Sequence, residues 1–104
     1  MAYAWRVGRK DLLLTAPTYT VPPRMRRLLW ERDQGCRFCG RKSWLHHHHI
    51  TAWPHGPTEL SNLVLVCRWH PRLIHDKGWS IRGTPEPGGT LELLNPYGAA
   101  VLAA

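Results

Sequence analysis

Two short motifs in this sequence carry residue types that bind transition metals. In each motif two residues separate the possible ligands: Cys36 and Cys39 in CRFC, and Cys67 and His70 in CRWH. This spacing lets both side chains of a motif reach one ion, and three thiolates with one imidazole form a tetrahedral zinc set. The sequence therefore predicts a structural zinc ion bound by these four residues.

Two other interpretations of the motifs remain open. Cys36 and Cys39 could be free thiols while Cys67 is a buried core residue at the end of an apolar run. Alternatively, the fourth zinc ligand could be His46. A framework of disulfides is disfavoured, because the chain has three cysteines and an odd number cannot all pair within it.

Four consecutive histidines, in the stretch LHHHHI at 45–50, lie between the two motifs. Purification tags are terminal and longer, and apolar residues flank this run on both sides. Folding around a zinc ion would bring the run next to the segment that carries His75. Imidazole binds divalent cations and can take a proton near neutral pH. One histidine could hold a cation while its neighbour activates water, which is the chemistry of metal-assisted phosphodiester hydrolysis.

Local patterns predict the elements that position these residues. The segment PRMRRLLWERDQ, 23–34, has Pro at its first position, apolar residues spaced i, i+3 and i+4, and Gly35 as a stop, which indicates a helix. The run LVLVC, 63–67, is typical of a buried strand, and LHHHHI is short and bounded like a strand. The proline-containing stretch 51–62 between them is predicted to be a loop, and PRLIHDK, 71–77, a short helix.

The order of these elements predicts one small α+β domain. Residues 1–22 are expected to form an arm or short hairpin, 23–78 the core that binds zinc, and 79–104 a hairpin and tail, with strands in WSIR and TLELL. A chain of 104 residues is long enough for one domain, and it contains no apolar run that could span a membrane. The N-terminal MAYAWRVGRK lacks a signal-peptide core, so a cytoplasmic location is expected.

The charge of the chain favours a polyanionic partner. Fourteen Lys and Arg face seven Asp and Glu, giving a net charge of +7 with neutral histidines. Guanidinium groups match phosphate oxygens and release counterions from nucleic acid. The five tryptophans beyond the first are expected to anchor the core and loops rather than stack on bases. The basic residues expected to contact phosphates are Arg24, Arg27, Arg37, Arg41, Lys42, Arg68 and Arg72.

Three stretches together resemble the HNH nuclease motif, whose fold is a ββα-metal finger: HHI at 48–50, Asn62 in LSNLVLVC, and CRWHPRLIH at 67–75. The flanking TVPPRMRRLLWERDQGCRFCG, and GWSIRG with a following PxPGG turn, are similar to the nuclease domain at the C-terminal end of many bacterial HNH repeat proteins. This resemblance covers roughly residues 7–98. It implies a small zinc-stabilised ββα-metal finger with a preceding helix and a C-terminal hairpin.

The resemblance also implies roles for individual residues. His49 matches the general base that deprotonates the attacking water, and His48 matches a ligand of the catalytic cation, Mg²⁺ or another divalent ion. Asn62 matches the central Asn, which braces the loop and orients the base. The implied activity is a DNA endonuclease, expected to act on double strands and to leave 5'-phosphate and 3'-hydroxyl ends.

One position departs from the family pattern. In close relatives the zinc-binding His is followed directly by a second His that binds the catalytic cation, and here that position is Pro71. One helical turn further on, His75 is the expected replacement ligand. The alternative is a zinc-stabilised DNA-binding module that has weakened or lost cleavage.

Overall fold

The computed structural model describes residues 15–103, apart from the side chains of Pro71 and His75. Its elements confirm the predicted α+β class, with a ββα unit between a preceding helix and C-terminal strands. In chain order they are β1 Thr15–Ala16, α1 Pro23–Asp33, β2 Leu45–His49, β3 Thr58–Glu59, a 3-10 turn Leu60–Asn62, β4 Leu63–Cys67, α2 Trp69–Lys77, β5 Ser80–Gly83, β6 Leu91–Leu94 and β7 Ala100–Ala103.

Strand β4 lies at the centre of the molecule, and all five of its residues are buried. It pairs antiparallel with β2, from Leu45 opposite Cys67 to His49 opposite Leu63. Because side chains alternate along a strand, β4 contributes to two separate clusters. Leu63 and Leu65 pack with α1, whereas Val64 and Val66 pack with β5 and β6. Burial on both faces explains why its sequence is a continuous apolar run.

Helix α1 begins at Pro23, as its sequence indicated, and buries Met25 and Leu29 against β4. It ends at Asp33, because Gln34 adopts the left-handed conformation at φ 56 and its N–H bonds back to the carbonyl of Trp30. This end therefore lies one residue before the predicted one.

Helix α2 begins at Trp69, two residues before the predicted start, and ends at Lys77; the following Gly78 has a φ of 76, which suits a residue without Cβ. The earlier start places His70 and Pro71 in the first helical turn. The N–H groups of that turn have no acceptor within the helix, so proline is tolerated there.

The remaining strands frame this unit. Strands β5 and β6 form the antiparallel pair predicted for the C-terminal region, and β7 adds a third strand that the sequence pattern did not indicate. Strand β1 pairs with β3, which lies in the stretch predicted to be a loop. Residues 1–14 of the predicted arm lie outside the described part. Within residues 15–103, no helix is long and apolar enough to cross a bilayer.

Candidate functional site

The four residues of the two metal-binding motifs meet in one cluster. The possible ligand atoms of Cys36, Cys39, Cys67 and His70 all lie within 4.8 Å of one another. His70 Nδ1 is 3.3 Å from each of the Cys36 and Cys67 sulfurs, and the Cys39 and Cys67 sulfurs are 3.6 Å apart. Zinc–sulfur bonds of ~2.3 Å give tetrahedral edges of about 3.8 Å, so these separations fit a tetrahedral ion. The cluster could therefore bind a metal ion such as zinc.

The electrostatics of the cluster also suit a cation. Burial raises the pKa of Cys39 to about 11, aided by the Cys36 and Cys67 thiols. Burial opposes ionisation of Cys67 as well, but the N–H groups of Trp69 and His70 at the start of α2 and the neighbouring Cys39 thiol outweigh it and lower the Cys67 pKa. Three thiolates this close repel one another, and a bound cation removes that repulsion.

Burial lowers the pKa of His70, which favours the neutral imidazole that metals require. His46, the alternative fourth ligand, is exposed on β2 and lies outside the cluster. In the described chain the three cysteines form no disulfide, and Cys36 and Cys67 are both buried.

The histidine strand leads to a cavity at the end of β2 remote from the cysteines. The cavity has a volume of about 360 Å³. Its lining includes His48, His49 and, from α2, Ile74. Adjacent residues of a strand face opposite ways, but β2 ends at His49, so both rings border the same space. The structure therefore brings the two histidines and helix α2 to one cavity.

His49 is held on several sides. Its side chain is 8% exposed, and its Nε2 lies 2.8 Å from the hydroxyl oxygen of Thr58, which is fully buried. Tyr19 stacks on the imidazole with ring centroids 5.2 Å apart, and the Trp53 ring lies 6.1 Å away. Burial lowers the pKa of His49, so the ring is neutral at pH 7. A fixed, neutral imidazole at a cavity is suited to accept a proton.

Asn62 braces the loop that follows the histidine strand. Its side-chain oxygen accepts a hydrogen bond from the Thr51 N–H, and its Nδ2 donates to the carbonyls of Thr51 and Pro57. A Cβ on Gly56 would lie 2.1 Å from the Thr51 carbonyl oxygen and 2.6 Å from Asn62 Nδ2, so only glycine fits there. The loop is thereby closed against the strand that carries His49.

An HNH endonuclease family model matches residues 36–69. The matched HNH segment contains the CRFC motif, the histidine strand, the Asn62 loop and Cys67, and it ends one residue before His70. This family consists of nucleases, which generally act on nucleic acid and bind metal ions. Comparisons with curated proteins and with solved structures give no match.

The HNH resemblance predicts a catalytic cation between His48 and His75. His48 is partly buried and borders the cavity. His75 lies in α2 directly after Ile74, which also borders the cavity, but its side chain is outside the described set. The ligand role of both residues therefore stays a prediction.

The basic residues predicted to contact phosphates fall into three groups. Arg37 is bound within the protein, because its Nη1 donates to Asp33 and to the carbonyl of Pro85. Lys42 donates to the carbonyl of Gln34 at the end of α1, and the Arg68 guanidinium lies over the Trp44 ring. The others are exposed: Arg24, Arg27, Arg41 and Arg72.

Several residues at the site had no distinguishing sequence signal. Tyr19 and Thr58 contact His49 from distant parts of the chain, and the β1–β3 pairing carries both segments to it. Arg26, on α1, borders a second cavity of about 220 Å³ together with His47 and His49. Three of the five tryptophans expected to anchor the core or loops are exposed and lie outside the core: Trp30, Trp44 and Trp69.

Proposed function

We propose that this chain is a divalent-metal-dependent HNH DNA endonuclease that nicks or cuts phosphodiester bonds and leaves 5'-phosphate and 3'-hydroxyl ends. The observation that carries the proposal is His49: a buried imidazole, bonded to Thr58, at the edge of a cavity within the matched HNH segment. The cytoplasmic location stays a prediction.

His49 would act as the general base. If its Nε2 carries the proton and donates it to Thr58, the lone pair is on Nδ1, the only ring nitrogen left to accept a proton from water. The stacked Tyr19 ring limits rotation of the imidazole. Deprotonated water would attack phosphorus as the bond to the 3' oxygen breaks, and Asn62 would hold the loop beside this base.

His48 and His75 would hold the catalytic cation, Mg²⁺ or another divalent ion. Such a cation stabilises the charge that develops on the phosphate oxygens and on the departing 3' oxygen. Because Pro71 has no ligand atom, binding of the cation to α2 would depend on His75, which lies one turn later on that helix.

The cysteine cluster would hold a structural zinc ion. It joins the CRFC turn to the end of β4 and the start of α2, and all four of its ligand positions are supplied by protein. A closed tetrahedral set leaves no place for substrate. Its role would be to position the strand and helix that border the cavity.

Exposed basic side chains would hold double-stranded DNA through its phosphates. Six of the seven residues predicted from the sequence would contact phosphates, whereas the guanidinium of Arg37 is bound to Asp33. Such contacts position a duplex without reading its sequence. The six are Arg24, Arg27, Arg41, Lys42, Arg68 and Arg72.

Nicking of supercoiled plasmid tests the proposal directly. The protein is incubated with Mg²⁺, Mn²⁺ or Ni²⁺, and His49→Ala is compared with His46→Ala, a matched change at an exposed histidine of the same strand. We expect His49→Ala to lower the nicking rate by at least about 100-fold and His46→Ala to leave it nearly unchanged. Equal nicking by the two variants would contradict the role of His49.

A second candidate function follows from Pro71. If the cation site cannot form without the usual histidine, the domain would be a zinc-stabilised module that binds DNA and does not cut it. Binding of plasmid without nicking under all three cations would favour this module. Nicking that disappears in His75→Ala but persists in Pro71→Ala would favour the endonuclease.

A further inference from the structure

Two exposed tryptophans lie at the metal-cluster end of the ββα unit, where Arg68 contacts Trp44 and Trp69 directly follows Arg68 in the chain. Trp44 is 68% exposed and Trp69 is 59% exposed. The Arg68 guanidinium lies 5.9 Å from the centre of the Trp44 ring, and the Arg68 N–H donates to the Trp44 carbonyl. These three residues, named the tryptophan patch, are held together by the backbone that also supplies Cys67.

Packing does not account for this arrangement. Trp44 has a φ of 56, in the left-handed region that a bulky side chain rarely adopts, yet the ring lies in solvent. Trp69 opens helix α2 and also points its ring outward. A large aromatic side chain exposed in this way stabilises the fold little, so its contribution is expected in binding.

The surroundings favour an anionic partner with flat rings. No Asp or Glu occurs between Asp33 and Glu59, whereas exposed Arg41 precedes Trp44 and exposed Arg72 follows Trp69. Indole rings beside arginines form the usual platform for unstacked bases, with the rings stacking on bases and the cations on phosphates. A duplex hides the faces of its bases, so the patch suits a single strand.

We propose that the tryptophan patch binds unpaired bases of single-stranded DNA, next to the duplex held by the nuclease site. This inference rests on the proposed nuclease function. Four strand steps of about 3.4 Å separate Leu45, beside the patch, from His49, so roughly 14 Å lies between the two places. That distance corresponds to about four nucleotides of helical strand, or fewer in a stretched one. The preferred substrate would be DNA with a single-stranded gap or flap near the cleaved bond.

Fluorescence anisotropy tests the proposal without cleavage. The full chain, zinc-loaded and without added Mg²⁺, is titrated into a labelled thymidine 12-mer, an abasic 12-mer of equal charge and a 12-base-pair duplex. If bases stack on the patch, the thymidine strand should bind about 5- to 100-fold more tightly than the abasic strand. Equal affinity for these two strands would overturn the proposal. This comparison uses the wild-type protein alone.

Substitutions then locate the contact. Trp44→Ala and Trp69→Ala should each weaken binding of the thymidine strand about 5-fold or more and change duplex binding little, while Trp69→Phe retains most of the affinity. Tyr97→Ala is the control, because Tyr97 is a 93% exposed aromatic residue in the turn between β6 and β7. If both alanine variants keep one zinc per chain and bind like the wild type, single strands do not use this patch and a protein partner becomes the better account.

Failure of the patch proposal and failure of the nuclease proposal give different results in these assays. Tight binding of thymidine strands without plasmid nicking would support the patch and refute the enzyme. Nicking that depends on His49, combined with equal affinity for thymidine and abasic strands, would support the enzyme and refute the patch.

Discussion

Removing the zinc ion that we propose for the cysteine cluster is expected to unfold the domain. The cluster joins three parts of the chain, which are the CRFC turn, the end of β4 and the start of α2. Cys36 and Cys67 are also members of the core cluster that joins β4 to the C-terminal sheet. Loss of the ion would leave thiolates that repel one another until they are protonated, and it would remove the link between these three parts of the chain.

The loss of stability can be worked out from the free energy of zinc binding and the free energy of unfolding. Structural zinc binding contributes apparent free energies of roughly 10–16 kcal/mol in small zinc domains at pH 7. The free energy of unfolding of a whole domain is about 5–15 kcal/mol, and a chain of this size lies toward the lower part of that range. Without the contribution of zinc binding, the free energy of unfolding of this chain would be about zero or negative. The metal-free chain should have no cooperative melting transition near room temperature.

Two measurements check this expectation. Metal analysis of the purified protein should give one zinc ion per chain, and a strong chelator should abolish the circular-dichroism melting transition, with recovery when zinc is returned. His70→Ala should lose the ion, whereas His46→Ala, at an exposed histidine outside the cluster, should keep it. A melting transition that is unchanged by the chelator, in protein containing no zinc, would refute the reasoning.

Three substitutions, one of them with a matched control, probe other parts of the structure. Thr58→Val removes the hydroxyl that lies 2.8 Å from His49 Nε2. The nicking rate should fall about 10- to 100-fold, and ¹⁵N NMR of His49 should show a mixture of imidazole tautomers. An unchanged tautomer would exclude a positioning role for Thr58. Asp33→Asn breaks the buried pairs with Arg32 and Arg37 and should lower the free energy of unfolding in urea by about 3–5 kcal/mol. The matched Glu92→Gln change, at the exposed pair with Arg82, should cost under about 1 kcal/mol, and similar losses in both would contradict the buried network. Gly56→Ala places a Cβ 2.6 Å from Asn62 Nδ2 and should lower the free energy of unfolding by about 1–3 kcal/mol. Proteolysis of the 51–57 loop should become faster. An unaltered digestion pattern would argue against this close packing.

Sequence patterns predicted the elements that depend on neighbouring residues. Pro23, the apolar spacing of α1 and the apolar run of β4 each act locally, so helix and strand could be placed within a residue or two. The cysteine and histidine spacing likewise predicted which four side chains meet, because a motif of two ligands separated by two residues sits on a single turn.

Features that depend on distant contacts were not predictable in this way. Nothing in the short stretch Thr58–Glu59 indicates that it pairs with Thr15–Ala16, yet this pairing lies beside the contacts of Thr58 and Tyr19 with His49. Tryptophan identity alone suggested burial, because large aromatic side chains usually contribute most to a small core. Trp44 is exposed and adopts a left-handed backbone conformation that no residue in KSWL signals.

Strand β4 determines how the two chemical centres are separated. Its Cys67 end belongs to the metal cluster, and its Leu63 end pairs with His49 beside the cavity. Four strand steps of about 3.4 Å keep these ends roughly 14 Å apart, which is far beyond the reach of a metal–ligand bond of ~2.3 Å. An ion among the cysteines therefore cannot touch a phosphate that lies against His49. If cleavage in this cavity uses a cation, as we propose, that cation must be a second one, and the histidines that border the cavity would hold it together with α2.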